Sequence, residues 1–317
     1  MDLTLLPLID DQKCFETVRR LRWPGGVACP HCESLQVTKR GMDETQVCRQ
    51  RYHCGGCRRD FDDLTGTVFA GHHQPLRVWL LCLYFMGLNL SNRQIARELS
   101  LDEDSAHDMA SQLRDGIVAR QPAVILSGEV ECDEVYVVAG HKGHPEAVKK
   151  KGRPPRRRRL KGAPGRGTLA KEKPPIFGMI QRGGQVVMRM LANVKQVTIG
   201  PLLKASIALD TTVYTDEYDI YSRLSEWGYA HLTVNHGRGE YARDEDGDGF
   251  HEVHVNTMEG CWSLLRSWLR PHRGISQEKL PLYIALFEFV HNARKRGKAL
   301  LESLIVTLLT PPPRNAV

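Results

Sequence analysis

Gly128-Glu-Val-Glu-Cys-Asp-Glu-Val-Tyr-Val-Val138 is the stretch whose reading organises the rest of the chain. It is apolar and β-branched enough for a strand. Its acids Glu129, Glu131 and Asp133 alternate, which places them on one face. Carboxylates on a strand flanked by Val and Cys are costly unless they are exposed or bind something. Downstream, residues 175–180 and 185–191 flank Arg182-Gly-Gly184, a hairpin signal. Residues 201–208 read as a short helix and 212–215 as a strand. Residues 218–227 read as a helix stopped by Gly228, and 231–235 as another strand. Residues 259–269 and 280–295 carry amphipathic helical periodicity.

Three strands, helix, strand, helix, strand, helix is the element order of the ribonuclease-H-like fold. The expectation is therefore a mixed α/β chain. Residues 123–317 form its ribonuclease-H-like domain, with a basic insertion at 140–174. Residues 149–173 hold twelve Lys and Arg against one acid, Glu172. The whole chain is only +7, so the remainder is net acidic. A Gly- and Pro-containing basic run of this kind suits contact with a polyanion.

Upstream, Cys29-Pro-His-Cys32 and Cys54-Gly-Gly-Cys57 form two Cys-x-x-Cys knuckles separated by 21 residues. A two-residue gap lets both thiolates of a knuckle reach one tetrahedral ion at about 2.3 Å. Residues 1–70 thus read as a zinc ribbon whose structural Zn²⁺ is held by Cys29, Cys32, Cys54 and Cys57. The glycines are expected to relieve the tight turn of the second knuckle. Arg49, Arg51, Arg58 and Arg59 around it suit phosphates, or are simply solvated.

Residues 71–122 read as a helix-turn-helix-like segment. Residues 89–100 read as its first helix, with Ser91 a fitting N-cap, and 101–104 as the turn. A second helix spans 105–117, with Ala106, Met109, Ala110 and Leu113 inward. In such a unit the second helix enters the major groove. Its expected outer face is His107, Asp108, Ser111, Gln112 and Arg114. A purely structural helical pair has the same pattern.

Metal-dependent phosphoryl transfer needs two or three carboxylates converging from separate elements, because hard divalent ions prefer oxygen ligands. Three candidates are Asp133 on the first strand, Asp216 at the end of Val213-Tyr-Thr-Asp, and Glu259 at the start of a helix. Glu259, Ser263, Arg266 and Arg270 share one polar stripe of that helix; Trp262, Leu265 and Leu269 share the apolar one. Each acid alone also has a bland reading: exposed strand residue, N-cap, or helix N-terminal charge. Asp244-x-Asp-x-Asp248-Gly looks like the start of a calcium loop, but its twelfth position is Val255 rather than Glu. His251 and His254 fall two ligands short of a zinc site.

Several of these motifs together resemble the zinc-ribbon DDE transposases of bacterial insertion sequences, the ISXO-type family. They are the knuckles followed by Phe61-Asp-Asp-Leu-Thr-Gly-Thr-Val-Phe69, Glu131-Cys-Asp-Glu-Val-Tyr136, Thr215-Asp-Glu-Tyr-Asp-Ile-Tyr-Ser222, Val255-Asn-Thr-Met-Glu-Gly-Cys-Trp-Ser-Leu-Leu-Arg266 and Glu288-Phe-Val-His-Asn-Ala-Arg294. The resemblance implies that Asp133, Asp216 and Glu259 are a catalytic triad binding Mg²⁺ or Mn²⁺. Arg266 takes the place of a basic residue that contacts DNA. Asn256 is a lesser candidate, because some relatives carry Asn as the third catalytic residue. The implied reaction is hydrolysis at element ends, followed by attack of the freed 3′ hydroxyl on target DNA. The implied partners are double-stranded DNA, as element ends and target, and further copies of the chain. The alternatives are a nuclease without strand transfer, a DNA-binding zinc-ribbon protein, or a decayed transposase without catalysis.

The composition, 41% hydrophobic and 26% charged, is that of a soluble globular protein. The longest apolar run, residues 80–90, is too short to span a membrane. The start lacks the basic region of a secretory signal, so the expected location is the cytoplasm. In a reducing compartment, paired Cys-x-x-Cys points to metal rather than disulfide.

Overall fold

The computed structural model describes residues 10–150, 166–235, 242–244, 252–294 and 297–311. Most of the basic run, together with Asp246, Asp248 and His251 of the calcium-like stretch, lies outside the described residues. The chain divides into two compact units: Met1–Gln121 with Ala293–Val317, and Pro122–Asn292.

The first unit opens with α1 (Asp11–Arg22), capped by the Asp10 side chain on the Lys13 N–H. The sequence reading did not include this helix. Three antiparallel strands follow: β1 (Val37–Met42), β2 (Gln50–Cys54) and β3 (Asp60–Asp62). They pack Tyr52 on Phe61 with the rings stacked 5.2 Å apart. Asp63, fully buried, ties α1 to this sheet. It accepts from Arg19 Nε at 3.0 Å, the Tyr52 hydroxyl at 3.1 Å and the Gln50 N–H at 2.7 Å. A buried carboxylate is tolerable only with such complete answering.

Next come α2 (Leu76–Gly87), α3 (Asn92–Glu98) and α4 (Glu103–Arg120). Ser91 caps α3, as the sequence suggested, and with Gln94 it completes a capping box. Ala106, Met109, Ala110 and Leu113 are buried. Arg114 is not on the outer face as expected; it is 2% exposed and donates to Asn92 Oδ1. The outer residues of α4 include Asp104, His107, Asp108, Gln112 and Asp115, so without Arg114 the face is acidic. Three carboxylates repel phosphates, whatever the helical-pair pattern suggests.

In the second unit, β4 (Glu129–Tyr136) is followed by the short α5 (Pro145–Lys150), then β5 (Pro175–Gln181), β6 (Val186–Met190), α6 (Gln196–Ser206), β7 (Thr212–Asp216) and β8 (Ala230–Val234). The sheet order is β6-β5-β4-β7-β8. The β6-β5-β4 half is antiparallel and the β4-β7-β8 half parallel. A small ribbon, β9 (Ala242–Arg243) with β10 (Val253–His254), precedes α7 (Asn256–Leu269) and α8 (Leu280–Ala293). Strand alternation sorts the sheet into two faces. Val130 and Cys132 join Phe177, Ile199, Leu203 and Val213 on the α6 side. Val135 joins Ile176, Met258, Trp262 and Leu265 on the α7 side.

α6 begins five residues before the expected start, with Pro201 inside it. The proline leaves the Val197 carbonyl without its helical donor, but Val197 is exposed and water can answer. Burial of Ile199 and Leu203 outweighs that loss. Residues 218–227 form two single 3₁₀ turns, Asp219–Tyr221 and Ser225–Trp227, rather than one helix. Gly228 ends them with φ 94°, the left-handed stop expected of it.

α8 closes the outer edge of β6. Glu288 Oε2 accepts the Met188 N–H at 2.8 Å, and Asn292 bonds both the N–H and the carbonyl of Val186 at 2.8 Å. The i, i+4 pair thereby occupies the ladder positions that an exposed edge would offer to another strand. The last helix, α9 (Gly297–Leu309), packs on α1, α2 and α4 of the first unit. The sequence reading had included it in 123–317.

Candidate functional site

Two constellations stand out. In the first, the four knuckle sulfurs all lie within 4.8 Å of one another. Cys29 Sγ is 3.7 Å from Cys57 Sγ, and Cys32 Sγ is 3.5 Å from Cys54 Sγ. These separations are too long for disulfides. They approach the roughly 3.8 Å edge of a tetrahedron with ligand bonds of about 2.3 Å. Backbone N–H groups of His31 and Cys57 point at Cys29 Sγ and Cys54 Sγ, both at 3.4 Å, as suits thiolates. The turn geometry differs from expectation. The left-handed residues are Glu33 (φ 62°) and Arg58 (φ 59°), one after each second cysteine. Gly56 serves clearance instead: a Cβ there would meet the Ser34 side chain at 3.0 Å. Arg49 is held by Asp62, whereas Arg51, Arg58 and Arg59 are exposed.

The second constellation is the α7 side of the mixed sheet. β4 and β7 run parallel, with Glu129 opposite Thr212 and Glu131 opposite Tyr214. Two residues on, the same register brings Asp133 level with Asp216, on the same face. Both lie toward the carboxyl ends of parallel strands, where α/β sheets gather ligands. α7 crosses this face. Its buried stripe is Met258, Cys261, Trp262, Leu265 and Leu269, while Glu259, Ser263, Arg266 and Arg270 are exposed. That is the division read from the sequence, except that Glu259 is the fourth residue of the helix rather than its first.

Trp262 fixes the helix over Asp133, its Nε1–H donating to Asp133 Oδ2 at 2.8 Å. The indole can lie there because Gly178 stands opposite Asp133 on β5. A Cβ at Gly178 would fall 2.4 Å from Trp262 Cη2 and 2.6 Å from Met258 Cε. Gly178→Ala is expected to cost on the order of 1–3 kcal/mol as an overpacked contact. A thermal melt of the full chain checks it, and an unchanged Tm would mean that the ring moves freely.

Electrostatics link the three acids. The Asp133 carboxyl is pushed up to about 6, first by burial and then by the charges of Asp216 and Glu259, against the Trp262 bond. A like-charged group of this kind favours a cation among its oxygens. Asp216 Oδ1 accepts the Tyr218 N–H at 3.1 Å. The three do not close as tightly as the cysteines, which are the one ligand-type cluster within 4.8 Å among the described residues. Arg266 is exposed two turns beyond Glu259, and Asn256 is the exposed first residue of α7.

Sequence reasoning missed Glu134 and, for Glu131, the partners that bury it. Glu134, on the opposite face, accepts from the Tyr221 hydroxyl at 2.6 Å and is pushed up to about 7, chiefly by burial. Only its adjacency to Asp133 could have flagged it. Glu131 is fully buried and accepts from Arg182 Nε at 2.9 Å, the Thr257 hydroxyl at 2.8 Å and the Met258 N–H at 2.8 Å. Nothing in the local sequence ties it to Arg182, fifty-one residues on.

The raised carboxyls set a pH dependence. A buried acid with a raised pKa favours the folded state while protonated, and that contribution is lost as pH rises through the folded value. For Asp133 and Glu134 the loss runs from about 4 to about 7. Metal-free protein is therefore expected to melt at a lower temperature at pH 7.5 than at pH 5. His231, its pKa lowered by burial, works in the opposite sense. Melts of D133N/E134Q against the native chain isolate the effect: the fall should shrink in the double variant, with Asp63 and Glu288, also raised by burial, keeping the remainder, and an equal fall in both would assign it elsewhere.

A four-cysteine ribbon joined to an acid-bearing mixed sheet is the layout of a transposase. A transposase zinc-ribbon domain model matches residues 9–60, and an ISXO2-like transposase domain model matches residues 125–292. The chain is 35% identical over 307 residues to a Halobacterium salinarum protein described as an uncharacterized protein in transposable element ISH50, covering 95% of this chain and 98% of that one. It is 24% identical over 103 residues to an uncharacterized transposase-like protein of Haemophilus influenzae, covering 32% of this chain and 77% of that one. The chain belongs to the ISXO2-like transposase family. No helix among the described residues is long and apolar enough to cross a membrane.

Proposed function

We propose that this transposase cuts the ends of its element and joins them to target DNA by metal-dependent phosphoryl transfer, with Asp133, Asp216 and Glu259 as the metal-binding acids. The observation that carries the proposal is the shared register of Asp133 and Asp216 beneath α7, with the Asp133 carboxyl raised by burial and further by the charges of Asp216 and Glu259. Oxygen-only donors fit Mg²⁺ or Mn²⁺. Bound there, such ions would activate the attacking oxygen and stabilise the leaving one. The chain's own part is positional. Trp262 holds Asp133 Oδ2 in place. Arg266, exposed on the Glu259 stripe, is assigned to a DNA phosphate. The element order and mixed sheet support the ribonuclease-H-like reading of the second unit.

The cysteine cluster is assigned a structural Zn²⁺, since four thiolates leave no open coordination position. Arg51, Arg58 and Arg59 beside it are assigned to DNA backbone contact. The acidic outer face of α4 disfavours insertion into a groove, so the helical segment is assigned a supporting role in DNA binding. Two ends and two cuts suit a dimer or larger assembly, working in the cytoplasm.

The test uses purified full-length protein, labelled duplex carrying element ends, and Mg²⁺. Joined products support the reading. Cleavage without joining would reduce it to a nuclease, and a gel shift with neither would reduce it to a DNA-binding protein.

A further inference from the structure

We infer that Glu131 is a positioning residue that sets Glu259 against Asp133 by pinning the first turn of α7 to the sheet. The inference rests on the acid-triad reading above.

At the start of α7 the local side-chain acceptor is His254 Nδ1, which takes the Asn256 N–H at 3.3 Å. Its N-cap is Val255, which offers no side-chain hydrogen bond. The first N–H groups of a helix need a partner and favour negative charge. Glu131 supplies both from β4: Oε2 takes the Met258 N–H and Oε1 takes the Thr257 hydroxyl, each at 2.8 Å. One turn further along, Trp262 is bonded to Asp133. The helix is thus pegged twice, at 258 and 262, to strand residues 131 and 133. Two strand residues span about 6.6 Å and four helical residues about 6 Å, so the pegs match in spacing. Glu259 stands between them, its height above Asp133 fixed by both.

Arg182 completes the junction. Its Nε donates to Glu131 Oε1 at 2.9 Å, Nη1 to Glu129 Oε1 at 3.0 Å and Nη2 to the His254 carbonyl at 3.0 Å. Its guanidinium lies 3.9 Å from the centre of the Tyr214 ring on β7. Strands β4 and β7, the β5–β6 turn and the residues entering α7 therefore meet at one ion pair, Glu131 fully buried and Arg182 half-buried. Such a pair is a weak source of net stability. Its value here lies in specifying where the helix begins.

The experiment measures Mn²⁺ binding by the loss of the free-ion paramagnetic signal, on the full chain, for native protein, E131A, E131Q, E259Q and E131A/E259Q, with circular dichroism as the fold check. E131A is expected to weaken Mn²⁺ binding about tenfold or more, as for groups that orient metal ligands. E131Q is expected to weaken it severalfold, because one oxygen cannot answer both Arg182 and the helix. E131Q carries the test if E131A does not fold. In the E259Q background the Glu131 change should add nothing, since it acts through Glu259. Native-like binding in the folded Glu131 variants, with E259Q weakened, would overturn the inference alone. Full additivity in the double variant would overturn it too. An E259Q chain that binds Mn²⁺ as the native one does would sink the acid-triad reading itself, and this inference with it.

Discussion

Asp133→Asn is expected to abolish cleavage of element ends while leaving the fold intact or slightly firmer. The two effects have opposite signs for one physical reason. Asp133 is half-buried, and its carboxyl is already pushed up to about 6 by desolvation and by Asp216 and Glu259. A neutral amide removes that cost and can still accept the Trp262 Nε1–H. The same loss of charge removes a hard anionic ligand, whose role in a two-ion site amounts to several kcal/mol of transition-state stabilisation. Several kcal/mol corresponds to a fall of at least about a thousandfold in rate. Single-turnover cleavage beside a thermal melt reads both quantities. A dead variant with a strongly lowered Tm would mean that Asp133 is structural. A variant cleaving within tenfold of native would remove it from the acids that matter. Asp216→Asn and Glu259→Gln are expected to behave alike in cleavage, with end binding retained in all three.

The second large effect concerns the cysteine cluster. Cys29→Ser, or exhaustive chelation, is expected to release one Zn²⁺ per chain and to melt the β1–β3 sheet. That sheet has little core of its own: Tyr52, Phe61 and the cysteines Cys29 and Cys54, with a few half-covered neighbours. Structural zinc contributes roughly 10–16 kcal/mol of apparent binding energy in small finger peptides, more than such a core supplies by burial. The loss is expected to reach α1 as well, because Asp63 joins that helix to β2 through Arg19 and Tyr52. Elemental analysis and near-ultraviolet circular dichroism check it, with Tyr52 and Trp23 as reporters 5.6 Å apart. Unchanged metal content would refute the zinc assignment. Zinc loss with an unaltered spectrum would refute its structural role.

How far the site was legible follows from which signals are local. The knuckles are, since a two-residue gap specifies convergent thiolates whatever lies between them. The alternation of Glu129, Glu131 and Asp133, and the two stripes of α7, are equally local, because strand and helix periods act on neighbours. Residues 218–227 were misread because a stretch of helical composition is held as 3₁₀ turns by Ile220, Tyr221 and Leu224 packing under the sheet, a tertiary demand. Arg114 was misread because charge predicts exposure only when no buried acceptor waits, and Asn92 on α3 provides one.

The sequence by itself determined the cysteine set, the mixed α/β character and the polar and apolar faces of α7, which depend on local spacing; it offered Asp133, Asp216 and Glu259 as candidates, and only the family resemblance nominated them as a triad. Only the tertiary structure decided that Asp133 and Asp216 share a level on adjacent parallel strands, that Gly178 clears room for Trp262, and that Glu131 with Arg182 anchors the helix carrying Glu259. Those facts join residues from 51 to 127 positions apart. Strand register and helix docking are settled by burial of whole faces, and no local pattern encodes which distant partner completes them.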